Sequence, residues 1–368
     1  MTKALAVYAG PSALAQIKEQ GISQEQIKMM VGASGGPKWF VLAGLDRYFC
    51  GEFFKSRTST LYTLGSSAGA WRFACYAQQN PLAAINRLIH AYSHLSYPLN
   101  ADKDQVTRAS EQMLADVLAS RGAVEIATNP LIKSNIIVAK STGLTRYEHK
   151  ALQIPGLIAS AAGNRLQRKK LGNYYQRVIF TSDNSYIPFD YDDGIRSKVV
   201  SLTKHNTEQA LQATGSIPLI INGVRDIKGA GKGMYRDGGI IDYHFDQRFL
   251  PGSNASQAQQ EIKDDQQGGL VLYPHFYNEF KPGWFDKYIK HRFANKQHFD
   301  NTVVLAPTAE FVNKLPFGKI PDRKDFTQLT EAERIKYWQS VIDESERLAE
   351  EFDQLIGNEN AAQIIKPI

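Results

Sequence analysis

The chain has 368 residues, enough to bury a large core as one large domain or two modest ones. Its 43% hydrophobic and 22% charged residues place it among globular proteins and exclude the disordered and fibrous classes. The formal net charge of +6 is mildly basic, which suits anionic partners such as lipid headgroups or nucleic acid, although lysines and arginines dispersed over an ordinary surface give the same balance.

In chain order, 4-ALAVYA-9 and 27-IKMMVG-32 read as strands, each an apolar run short enough for a buried sheet. The glycine-rich 32-GASGGPKWF-40 comes next, and Pro37 opens a helix through 38–49, at a position where its missing N–H costs nothing. A strand at 60–64 leads into 65-GSSAG-69 and a helix at 70–78. Residues 103–121 carry apolar side chains at helical spacing, and 135–140 is the next strand.

The stretch 152-LQIPGLIASAAGNRLQRKKLGNYYQ-176 mixes small apolar residues, a basic run (Arg165, Arg168, Lys169, Lys170) and paired tyrosines. It reads as a lid or membrane-facing insertion, or equally as an ordinary helical hairpin. Strands are expected at 177–181 and 198–202, and a helix at 209–220 that ends in small residues and a proline. The polar run 252–269 reads as a surface loop, partly disordered. Strands at 269–274 and 302–307 and one long amphipathic helix at 330–356 close the chain.

Alternation of strands and helices in the first third indicates a parallel α/β sheet. Cys50 and Cys75 have neither disulfide nor metal-ligand spacing and are expected as buried free thiols. The first residues lack the pattern of a secretory signal, and no apolar run approaches the roughly 18 residues of a membrane span. A soluble, cytoplasmic protein is the expectation, with contact at a membrane surface as its peripheral variant.

Three short stretches carry chemistry. The pentapeptide 65-GSSAG-69 fits G-x-S-x-G with Ser67 central, between a strand and a helix. Such a strained turn needs small neighbours (Gly65, Ser66, Ala68, Gly69) and projects the serine oxygen at a helix N-terminus, where backbone N–H groups favour developing negative charge. By spacing, Ser66 points away. In 32-GASGGPKWF-40 the glycines let backbone amides face an anion, so Gly35, Gly36, Pro37 and Lys38 read as an oxyanion element. The alternative, a nucleotide phosphate loop, fits poorly: Pro37 stands in place of a glycine and Trp39 in place of the hydroxyl residue that would hold Mg²⁺. The third stretch is 234-MYRDGGIIDYHF-245, where Gly238 and Gly239 leave room around the Asp237 carboxylate.

Together, and in this order, the three stretches resemble the patatin-like phospholipase family, over about residues 4–245. The segment 213-ATGSIP-218 is similar to the small-residue-and-proline stretch that precedes the family's aspartate. Two places depart from the family pattern: Ser34 and Trp39 stand where the oxyanion element usually has glycine.

The resemblance implies a three-layer α/β/α sandwich around a mostly parallel sheet. The catalytic domain would span 1–250, with 251–368 as an extension packed on it. It also implies a Ser67–Asp237 dyad without histidine, hydrolysing carboxylic esters, most readily of lipids, with no metal or cofactor. The substrate implied is a lipid or other ester; the mild basic charge and the 152–176 segment suggest contact with an anionic membrane surface, and no nucleic-acid partner is expected. Oligomeric state is not legible.

Two other functions compete. A Ser-His-Asp esterase would draw its base from His244, His275, His291 or His298, which all follow Asp237. A catalytically silent member of the fold would bind lipid or a protein partner. His90 and His94, one helical turn apart, lack the acid of a zinc-protease motif, and 190-DYDDG-194 lacks a calcium loop's ligand pattern and reads as a solvated turn.

Overall fold

The computed structural model describes residues 3–98, 100–250 and 269–368; the polar run 252–268 lies outside them. The strands in chain order are β1 (Leu5–Ala9), β2 (Ile27–Gly32), β3 (Leu61–Gly65), β4 (Ile132–Ser141), β5 (Tyr175–Thr181), β6 (Phe189–Asp190) and β7 (Ser197–Ser201). They continue as β8 (Val224–Arg225), β9 (Met234–Asp237), β10 (Arg248–Phe249), β11 (Leu270–Pro274), β12 (Thr302–Pro307) and β13 (Lys366–Pro367). Strands β6 and β10 form a separate two-stranded ladder.

The main sheet runs in the order β13-β1-β12-β11-β2-β3-β4-β5-β7. Its centre, β12 through β4, is parallel throughout, while β1 and β5 pair antiparallel at the flanks. Every residue of β3 and β11 is buried, as is Met29–Gly32 of β2. Strands covered on both faces need no polar alternation, which is why they read as unbroken apolar runs. The result is a mostly parallel sheet flanked by helices, consistent with a three-layer α/β/α sandwich.

Two features of the sheet bring the sequence motifs together. Strands β11 and β12, from the last third of the sequence, lie between β1 and β2. Strand β9 shares with β3 one edge of β4: β3 pairs with residues 132–136 of β4, and β9, antiparallel, pairs with residues 138–141. The two strands therefore meet nearly end to end. Gly65 lies opposite Ile136 and Asp237 opposite Val138, which brings the turn after β3 against the end of β9.

Several expected elements differ in detail. The helix expected at 38–49 is a 3₁₀ turn Gly36–Leu42, a short helix Ala43–Tyr48 and a π turn Phe49–Phe53, with Trp39 and Phe40 buried against Tyr92 and Trp338. The long helix expected at 330–356 is two helices, Glu331–Glu344 and Glu346–Ile356. Ser345 parts them: its hydroxyl donates to the Ile342 carbonyl (2.6 Å) and accepts from the Gly44 amide (2.8 Å), an alternative to continuing the helix. Cys75 is buried, but Cys50 is only half-buried; both are free thiols.

Candidate active site

Strand β3 ends at Gly65, and helix Ala68–Tyr76 begins three residues later. Ser67, between them, has φ 52° and ψ −127°, a conformation that a side-chain-bearing residue holds only where its surroundings enforce it. The space around the turn explains its glycines. A Cβ on Gly69 would sit 1.9 Å from the Gly32 carbonyl oxygen, so only glycine lets the helix approach the end of β2. All nine residues of the helix are buried. Its Arg72 forms a two-pronged ion pair with buried Asp46 (2.7 and 2.8 Å), to which Tyr76 adds a hydroxyl bond at 2.7 Å. Asp46 belongs to the helix just after the glycine stretch, so this pair locks the two turns to each other.

Ser67 Oγ donates to Asp237 Oδ2 at 3.0 Å across 170 residues of sequence. The other oxygen, Oδ1, accepts from the Gly239 amide at 2.7 Å. Burial pushes the Asp237 carboxyl above the ordinary aspartate value, opposed by nearby Arg323, the Gly239 amide and Ser67. The Ser67 amide is held by Thr214 Oγ at 2.9 Å, and that hydroxyl donates in turn to the Ile137 carbonyl of β4 at 2.6 Å. The Asp237 amide donates to the Ser216 carbonyl (3.1 Å). The stretch 213–218 thus braces both residues, a role for Thr214 that sequence reasoning missed.

Ser66 faces the other way. Its hydroxyl donates to the Asp242 carbonyl (2.7 Å) and is bonded to Ser34 Oγ (2.7 Å). Ser34 therefore ties the glycine stretch to the turn that carries Ser67. In that stretch Gly36 has φ 57°, accessible to glycine at little cost. Among the described residues, the amides of Gly35 and Gly36 have no acceptor. Lys38 lines the same cavity, whereas buried Pro37 has no N–H and cannot serve as a donor, a correction to its place in the oxyanion element. Phe276, just after β11, packs on Gly35, where a Cβ would lie 2.6 Å from its ring.

Ser67, Asp237, Gly35 and Gly239 line one cavity of about 610 Å³. Other lining residues come from the C-terminal third, Tyr277, Trp284, Lys287 and Arg323 among them. Burial, with Arg323 and Lys38 nearby, brings Lys287 down to about 7.

His244 also lines the cavity, but its Nδ1 accepts from the Lys281 amide (3.0 Å) and burial holds its pKa well below the ordinary histidine value. His275 is buried with Nδ1 at the Tyr277 backbone, His298 pairs with Asp246 (2.9 Å), and His291 is exposed. Among the described residues none of the four bonds to Ser67. No group of three or more metal-ligating side chains occurs among them either. His94 Nδ1 contacts the His90 carbonyl, and Asp193 of the acidic turn is not simply solvated: it is paired with Arg177 (2.6 Å) and Arg168 (3.5 Å).

Beside the cavity, residues 152–166 belong to helix Lys150–Leu166, with a 3₁₀ turn Arg168–Asn173 after it, and its amphipathicity is inverted. Gln153, Ser160 and Asn164 are buried, while Ile154, Ile158 (64% exposed) and Leu166 (75% exposed) face outward. The buried polar face bonds to segments that border the cavity, Gln153 Oε1 to the Leu219 amide (3.1 Å) and Asn164 Nδ2 to Asp286 (2.6 Å). No described helix is long and apolar enough to cross a membrane.

No family model matches the chain, and neither does any curated protein. Among solved structures it is similar to VipD from Legionella pneumophila, at TM-score 0.30 and 12% identity, over 76% of this chain. The similarity spans about half (54%) of that chain's length.

Proposed function

We propose that this chain is a serine acyl hydrolase that cleaves carboxylic esters of lipids through an acyl-enzyme on Ser67, with Asp237 as the base. The observation that carries the reading is the 3.0 Å bond from Ser67 Oγ, on a strained strand-to-helix turn, to the buried carboxylate of Asp237 inside a substrate-sized cavity.

Ser67 Oγ bonds to the ester carbonyl carbon while its proton passes to Asp237 Oδ2, and the carbonyl electrons move onto oxygen. The unpartnered Gly35 and Gly36 amides suit that oxyanion, at roughly 2.7–4 kcal/mol per donor. The tetrahedral centre collapses, and the leaving alkoxide takes the proton back from Asp237. Water then attacks the acyl-enzyme, giving its proton to Asp237, and the acid is released as Ser67 is reprotonated. An ordinary aspartate, pKa about 3.9, is a weak base near neutrality; burial strengthens this one.

The inverted helix Lys150–Leu166, with Arg165, Lys169 and Lys170 at its end, supports a lipid surface as the source of substrate. Turnover of p-nitrophenyl esters of increasing chain length tests the reading. We expect hydrolysis that is abolished in Asp237→Asn. Absence of hydrolysis alongside binding to liposomes would favour a silent lipid-binding module.

A further inference from the structure

Part of the lining of the Ser67 cavity is built from segments outside all three motifs. Lys287 comes directly after the 3₁₀ turn Trp284–Asp286, Arg323 precedes helix Asp325–Gln328, and Lys38 comes from the glycine stretch. Among the described residues none of the three has an ion-pair partner, and none donates a side-chain hydrogen bond. Elsewhere in this molecule buried cations are held by carboxylates, as Arg72 is by Asp46 and Arg177 by Asp193 and Asp242, or by backbone carbonyls, as Arg57 and Arg334 are. Asp237 and Asp322 line the same cavity and attract these groups without pairing with them, yet the cations still repel one another, and that cost falls when a further anion joins them. Arg323 lies against Gly36, its Nε 3.2 Å from where a Cβ there would be, which puts the guanidinium beside the oxyanion element.

From this we infer that Lys287, Arg323 and Lys38 form a headgroup site selecting amphiphiles that carry an unbalanced phosphate over zwitterionic ones. It rests on the reading of the cavity as the ester site. A guanidinium fork with flanking ammonium groups matches phosphate oxygens. A choline group would need aromatic faces, and two of those lining the cavity are already taken: Lys287 Nζ sits 3.8 Å over the Tyr243 ring and 5.9 Å from that of Trp284. The protein's own cation therefore competes with a quaternary ammonium for these two faces.

The test is calorimetric binding of three probes that are not carboxylic esters: octyl phosphate, octylphosphocholine and inorganic phosphate. Octyl phosphate should bind at least about tenfold more tightly than octylphosphocholine, the scale of one charge-assisted hydrogen bond. Lys287→Met and Arg323→Gln should each erase most of that preference, and Lys287→Arg should keep it. If Lys287→Met fails to fold, Arg323→Gln carries the test alone. Equal affinity for the two amphiphiles, or a preference that survives both substitutions, overturns the assignment. Inorganic phosphate binding as tightly as octyl phosphate overturns the lipid-headgroup identity. None of these probes is turned over by Ser67, so a failure here is separate from a failure of ester hydrolysis.

Discussion

Thr214→Val is the perturbation whose consequence is tied most closely to the geometry. The Thr214 hydroxyl is the acceptor for the Ser67 amide and a donor to the Ile137 carbonyl, at 2.9 and 2.6 Å, in a fully buried position. Valine keeps the shape and removes both bonds. A buried polar group left without its partner costs about 1–3 kcal/mol, so two such groups imply a loss of about 2–6 kcal/mol in denaturant unfolding. The same bond supports Ser67 at φ 52°, so relaxation of the turn should move Oγ off Asp237. We expect kcat to fall tenfold or more (roughly 1.4 kcal/mol) with little change in KM, and Thr214→Ser to recover most of it. A valine variant that loses less than about 0.5 kcal/mol and turns over normally would refute the bracing role.

Asp237→Asn should abolish turnover yet leave the fold at least as stable as the parent by thermal unfolding, because burial disfavours the charged carboxylate and asparagine carries no charge. Since that carboxyl titrates above the usual aspartate range and must be ionised to accept a proton, the acid limb of kcat/KM should lie above about pH 3.9. Protonation favours the native form of this group, so its contribution to stability is present below the unfolded pKa and is lost as pH rises through the folded one. Asp46→Ala leaves Arg72 charged and buried without its partner; a loss of about 3–5 kcal/mol in urea unfolding is expected. Gly69→Ala drives a methyl to within 1.9 Å of the Gly32 oxygen and should cost about 1–3 kcal/mol or prevent folding, read by expression and melting.

The parts of the site that were readable in the sequence are those encoded over a few adjacent residues. Ser67 is flagged by glycines that the close contact with β2 requires, and Asp237 by the two glycines after it. The strands were readable because burial on both faces leaves unbroken apolar runs. Thr214 sits within a legible small-residue stretch, but its hydroxyl gains meaning only once β9 brings Asp237 beside β3. Lys287 and Arg323 were invisible for a similar reason. They reach the cavity because β11 and β12 insert between β1 and β2, a register set by tertiary packing. The break at Ser345 had no helix-stopping residue to announce it; it depends on the Gly44 amide, which lies 301 residues away.

The central claim is that Ser67, and not its neighbour, is the nucleophile. A fluorophosphonate probe combined with peptide mass spectrometry tests it directly. One adduct should appear on Ser67, vanish in Ser67→Ala and persist in Ser66→Ala, where only the bonds to Ser34 and the Asp242 carbonyl are lost. Labelling that survives in Ser67→Ala, or that maps to Ser66, would contradict the assignment.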